Sequence, residues 1–131
     1  MKMSNELLIA ARKAMKNSNG SMGHKIGAAV LASSGKIYGG CSLTSIPQDY
    51  CAERVALLKA VSEGERKIES ILITWEGPFG RLQGPCGICL NALWQLTNNL
   101  ELEVLLWPTE EKEPVVKKLK DFYPYPYTPN V

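Results

Sequence analysis

The chain has 131 residues, is 45% apolar and 21% charged, and carries a net charge of +2. That length suits a single domain over 1–131 with an interior large enough to fold without disulfides, and the composition is that of an ordinary globular protein. No run of lysine or arginine calls for nucleic acid, and no apolar stretch reaches the length of a membrane span, so neither is an expected partner. The segment from Met1 to Ala14 is amphipathic and mixed in charge, unlike a signal peptide. The expected compartment is therefore the cytoplasm, where paired cysteines bind metal or do redox chemistry more often than they form disulfides.

Ser4 is a predicted cap for a first helix reaching about Lys16, with Leu7, Leu8, Ala11, Ala14 and Met15 as its apolar stripe. A Gly- and Ser-rich loop follows from Asn17 to Lys25. Ile26 to Ala32 and Lys36 to Cys41 read as two strands joined at Ser33-Ser34-Gly35. A polar loop, Ser42 to Tyr50, leads to a helix over Cys51 to Glu63 that Gly64 stops. Ile68 to Trp75 is a β-branched strand, Cys86 to Leu96 a helix, and Leu102 to Trp107 a strand ended by Pro108. Pro114 sits well at the start of a short last helix reaching about Asp121, with Lys117-Lys118 on its solvated face. The Tyr- and Pro-rich tail is expected to be extended and pinned by its rings. The order α-β-β-α-β-α-β-α implies an α/β fold with a sheet covered on both faces. Both cysteine-bearing segments then fall where strands hand over to helices, the edge on which such folds build sites.

Those segments are Cys51-Ala52-Glu53 and Pro85-Cys86-Gly87-Ile88-Cys89. Cys86 and Cys89 can bind one ion from a single helical turn, and Cys51 is the natural third thiolate. A closed structural zinc site takes four protein ligands, whereas a catalytic one keeps a position for water. Cys51 and Cys86 both stand at predicted helix starts, where backbone N–H groups and the helix dipole favour a thiolate. Arg54 is either a donor to a ligating sulfur or a surface charge on its helix. Glu53 taken alone complements the helix dipole. Beside three candidate ligands it reads better as a proton carrier for metal-bound water.

Together these residues resemble the zinc-dependent cytidine deaminase superfamily, whose signature pairs a ligand, any residue and Glu with Pro-Cys-x-x-Cys. The likeness extends to Ile26-Gly27-Ala28-Ala29, to Tyr38-Gly39-Gly40-Cys41 and to the helix from Cys51 through Gly64, covering about residues 20–107. It implies a three-layer α-β-α sandwich with a mixed sheet of four or five strands, although a fifth strand is hard to find after Trp107. It also implies one zinc per chain on Cys51, Cys86 and Cys89. The implied reaction is hydrolytic deamination of a cytosine-type nucleoside, with Glu53 moving protons from water to the ring nitrogen and the departing amino group. The Ala52 N–H would hold the ring carbonyl and the Gly84 carbonyl would accept from the amino group. Small enzymes of this kind are commonly homotetramers whose sites neighbouring protomers complete.

The chain departs from the family in its sugar-binding segment. The usual Gly-x-Asn-x-Glu is Gly40-Cys41-Ser42-Leu43-Thr44 here, so short hydroxyl side chains at Ser42 and Thr44 replace both ribose ligands. An aromatic position before the first strand holds His24, either a substrate contact or a structural residue. Phe79, Tyr50 and Trp75 flank the clusters, Trp75 reading more as core. Blasticidin S deaminases share the departure, which keeps a modified nucleoside open as substrate. The competing readings are a polynucleotide deaminase, for which Cys51 stands where His is usual and no basic patch exists, and a non-catalytic structural-zinc module. The latter needs a fourth ligand from His24 or Cys41.

Overall fold

A computed structural model describes residues 3–20, 25–76, 82–109 and 111–129. Its elements are α1 (Ser4–Met15), β1 (Ile26–Ala32), β2 (Ile37–Cys41), α2 (Ala52–Ser62), β3 (Ile68–Trp75), α3 (Gly87–Thr97), β4 (Glu103–Leu106), β5 (Val115–Lys118) and α4 (Leu119–Phe122). The strands form one mixed sheet in the order β2-β1-β3-β4-β5. β1 runs antiparallel to both neighbours, β3 and β4 are parallel, and β5 is antiparallel to β4. Because β1 opposes both β2 and β3, those two strands point the same way. The helices that follow them therefore start at the same edge of the sheet.

Alternation along the strands divides the interior into two layers. Ala29, Leu72 and Leu105 face α1, together with Leu7, Leu8, Ala11 and Trp107. Ala28, Val30, Ile71, Ile73 and Val104 face the other side, with Ala56, Leu57 and Ala60 of α2 and Leu93 of α3. The expected three-layer α/β architecture is present, and no helix among the described residues is long and apolar enough to cross a membrane.

Glycines set the spacing between layers. A Cβ on Gly40 would stand 2.5 Å from the Ala56 backbone nitrogen and 3.0 Å from the Ala52 carbonyl oxygen, so α2 lies directly on β2. On the opposite face a Cβ on Gly27 would collide with the Ala11 carbonyl oxygen of α1.

Three expectations need correction. Ser4 is the first residue of α1 rather than its cap; Met3 holds the cap position in a left-handed conformation (φ 70) with no side-chain cap bond. The predicted last helix is instead β5 followed by the single turn of α4. Val115 and Val116 suit a strand, and β4 offers an open edge, pairing Leu106 with Val115 and Glu103 with Lys118. Tertiary pairing thus overrides the helix-start signal of Pro114, and Lys117-Lys118 lie on an exposed strand. Of the tail aromatics, Tyr123 is pinned by its hydroxyl, whereas Tyr125 and Tyr127 are 93% and 67% exposed. Gly64 stops α2 as expected, at φ 101.

Gly40→Ala must push α2 away from β2, and overpacking of this kind costs about 1–3 kcal/mol. Urea unfolding should show that loss as a lower midpoint with an unchanged slope; an unchanged midpoint would mean that the helix does not rest on this glycine.

Candidate metal centre

α2 and α3 each begin immediately after a cysteine. Cys51 and Cys86 occupy the cap positions in extended conformations (ψ 145 and 166), and neither uses its side chain to cap. Their sulfurs are left to face each other across the helix starts. The Sγ atoms of Cys51 and Cys86 are 3.6 Å apart and those of Cys86 and Cys89 3.5 Å, and all three lie within 4.8 Å of one another. Two thiolates about 2.3 Å from a tetrahedral ion stand about 3.8 Å apart, so this triad is nearly at zinc-binding spacing. All four cysteines are free thiols.

No fourth His, Cys, Asp or Glu joins the triad among the described residues. Cys41 is separated from it by the sheet, since it shares strand parity with Gly39, which faces α1, and not with Gly40, which faces α2. His24 and Phe79 lie outside the described residues.

Glu53, in the first turn of α2, is 6% exposed. Burial pushes its carboxyl up to about 7, and the neighbouring Cys51 adds to the rise. The Cys51 thiol is pulled down to about 5 by hydrogen bonding from Cys89, then from Arg54 and Cys86, against an opposing effect of burial. Cys89 is correspondingly raised, by Cys51 and by its own burial. Arg54 Nη2 donates to Cys51 Sγ at 3.8 Å and to the Asp49 carbonyl at 3.3 Å. Of its two sequence readings, donor to sulfur is the one this geometry shows.

A cavity of about 60 Å³ opens beside Glu53, lined also by Ile26, Ile73, Trp75, Gln83 and Gly84. Of the expected substrate contacts it includes Gly84, while Ala52 is fully buried at the first position of α2. Trp75 both packs in the core and lines the cavity. Tyr50 does not line it; with Leu43, Val55 and Leu58 it borders an apolar groove of about 450 Å³ outside α2. Ile26 and Ile73 follow from strand parity, but Gln83 carries no sequence signal.

Ser42 and Thr44 do not line this cavity; they sit in a clamped segment beside Ile26. The Ser42 hydroxyl accepts from the Ile26 N–H at 3.1 Å and pairs with the Ser18 hydroxyl at 2.9 Å, while Ser18 Oγ also donates to the Ser42 carbonyl at 2.6 Å. The Asn19 amide brackets Thr44, accepting from its N–H at 2.7 Å and donating to its carbonyl at 2.9 Å. Ser18 and Asn19 were invisible to sequence reasoning because they act through contacts 24 and 25 residues away.

Residues 1–100 match the family model of the cytidine and deoxycytidylate deaminase zinc-binding region. The chain belongs to this family. It is 38% identical over 77 residues to a cytidine deaminase of Sporosarcina psychrophila, covering 56% of this chain and 54% of that protein. A probable cytidine deaminase of Dictyostelium discoideum is 42% identical over 67 residues, covering 50% and 45%. The chain thus aligns with only about half the length of these curated relatives. Among solved structures, cytidine deaminase from Burkholderia pseudomallei superposes with a TM-score of 0.84 at 27% identity, covering 95% of this chain and 98% of that one. The enzyme from Mycobacterium tuberculosis gives 0.73 at 21% identity, covering 95% and 96%, a likeness of fold.

Zinc is accordingly the metal of this deaminase-family chain, and three soft thiol donors at the measured spacing fit it. Purified protein should carry about one zinc per chain by elemental analysis. Cys86→Ser should lower that content and Cys41→Ser should not; equal zinc in both variants would remove Cys86 from the centre.

Proposed function

We propose that the chain is a zinc-dependent aminohydrolase converting a cytosine-type nucleoside to its uracil-type product and ammonia. The observation that carries this reading is the buried Glu53 lining a small cavity beside three clustered thiols. Cys51, Cys86 and Cys89 are the zinc ligands, and bound zinc supplies an activated water in the position that protein leaves open.

The rest is the work of side chains and backbone. The Ala52 N–H, at the start of α2, holds the ring carbonyl. The Gly84 carbonyl accepts from the amino group and orients it. Glu53 takes a proton from the water as its oxygen adds to the amino-bearing carbon, and delivers that proton to the ring nitrogen. The hydroxyl now on that carbon gives its proton through Glu53 to the amino group, the carbon–oxygen bond becomes a carbonyl as the carbon–nitrogen bond breaks, and ammonia leaves. Arg54 draws electron density from the Cys51 sulfur and so limits the negative charge of a three-thiolate shell.

The structural-zinc reading needs a fourth ligand from His24 or Cys41; Cys41 lies on the wrong face of the sheet, and His24 lies outside the described residues. The substrate reading is shaped by Ser42, whose hydroxyl is engaged within the protein and substitutes poorly for the family's ribose-binding Asn. A modified cytosine nucleoside, blasticidin S-like compounds included, is therefore a specific alternative to cytidine and deoxycytidine. A net charge of +2 with no basic patch favours a free nucleoside over a polynucleotide. A set of free thiols suits the reducing cytoplasm.

Glu53→Gln should keep zinc and fold and lose turnover by about 10²–10⁴-fold, read as ammonia release and loss of aminopyrimidine absorbance across cytidine, deoxycytidine and blasticidin-like compounds. Full activity in Glu53→Gln would sink the proton-carrier role, and inactivity of the unmodified protein on every cytosine compound would sink the substrate class.

The assembly we propose is a homotetramer, supported by the outward groove of Leu43, Tyr50, Val55 and Leu58. Sedimentation equilibrium should return four times the 14.4 kDa chain mass, and Leu58→Glu should lower it. A monomer mass at micromolar concentration would overturn the assembly.

A further inference from the structure

Gly84 is a glycine for a reason other than backbone freedom. Among the described residues the glycines with positive φ are Gly35 and Gly64, so Gly84 does not need glycine's special conformations. It needs glycine's size. A Cβ there would stand 2.7 Å from Cε1 and 3.1 Å from Cδ1 of Phe122, whose ring therefore lies flush against the Gly84 backbone.

The backbone on either side of the ring is itself held at several points. Just before it, Leu119 is fully buried and its N–H donates to the Leu102 carbonyl at 2.9 Å, while the Lys120 N–H donates to the Leu100 carbonyl at 3.0 Å. Lys118 and Lys120 grip the Glu101 carboxylate at 2.8 and 2.7 Å. Just after it, the Tyr123 hydroxyl donates to Asn91 Oδ1 of α3 at 3.2 Å and accepts from the Tyr127 N–H at 3.0 Å. Phe122 is thus fixed between the start of β4 and the outer face of α3.

What the ring touches belongs to the site. Gly84 lines the cavity with Glu53, Pro85 behind it is buried, and Cys86 follows at the cap of α3. We infer that Phe122 is a positioning residue: its ring fixes the Gly84–Cys86 turn, setting the Gly84 carbonyl and the Cys86 sulfur relative to Glu53. A displacement of about 1 Å in such a group is enough to slow a reaction about 10²-fold.

The turnover arm of the test rests on the aminohydrolase reading; the zinc arm does not. Phe122→Ala should speed zinc transfer to a colorimetric chelator about 10-fold and lower kcat more than it raises KM, and Phe122→Tyr should restore both. Tyr125→Ala, in the same tail but 93% exposed, should change neither. Gly84→Ala should be harmful with Phe122 present and add little in a Phe122→Ala background, because the collision partner is gone. Unchanged zinc release in Phe122→Ala, or a Gly84→Ala cost equal in both backgrounds, would overturn the inference. If Phe122→Ala does not fold, Phe122→Leu takes its place in the same comparisons. Should the unmodified protein release ammonia from no cytosine compound, the aminohydrolase reading falls, and the zinc-release comparison decides the role of Phe122.

Discussion

A glycine under a helix fixes where the thiol cluster of this protein can form. With no side chain at Gly40, the backbone of α2 settles onto β2 at a distance no other residue would allow, and the height of α2 sets the height of Cys51 and Glu53. Gly27 does the same for α1 on the far side, so the sheet is gripped closely from both faces. Since β2 and β3 run in the same direction, α2 and α3 start at one edge, and their first residues meet there without any long loop reaching across. A metal centre shared between two helix starts follows from strand direction and helix height together.

That edge also brings a buried carboxyl close to three clustered thiols. A carboxyl that is 6% exposed, beside the buried Cys89 and the half-buried Cys51, would be costly if nothing answered it. The helix starts answer with their backbone N–H groups, and Arg54 answers with a guanidinium on Cys51. Raised Glu53 and lowered Cys51 are two expressions of the same crowding: burial raises the carboxyl, and donated hydrogen bonds stabilise the thiolate.

The elements that govern themselves locally were legible in the sequence. β1 and β3 appear with the bounds their apolar runs suggested, and α2 stops where Gly64 permits a left-handed turn. The Cys86–Cys89 spacing announced the thiol cluster, because side chains on one helical turn must sit at fixed separations. What the sequence hid were groups whose role depends on a distant partner. β5 exists because β4 leaves an edge to pair with, which neither Pro114 nor Lys117-Lys118 announces. The Ser18 and Asn19 clamp and the contact of Phe122 with Gly84 join segments far apart in the chain, and no periodicity encodes them.

The Ser42 hydroxyl carries a consequence for how this site can change over evolutionary time. It closes a junction where the end of α1 meets the entry of β1 and the exit of β2, bonding to Ser18 and to the Ile26 N–H. A longer side chain placed there to reach a sugar would first have to break that junction, and the loss would precede any gain in recognition. Any longer side chain at position 42 is therefore tied to the architecture: it requires compensation at position 18, so change there runs through at least two residues rather than one.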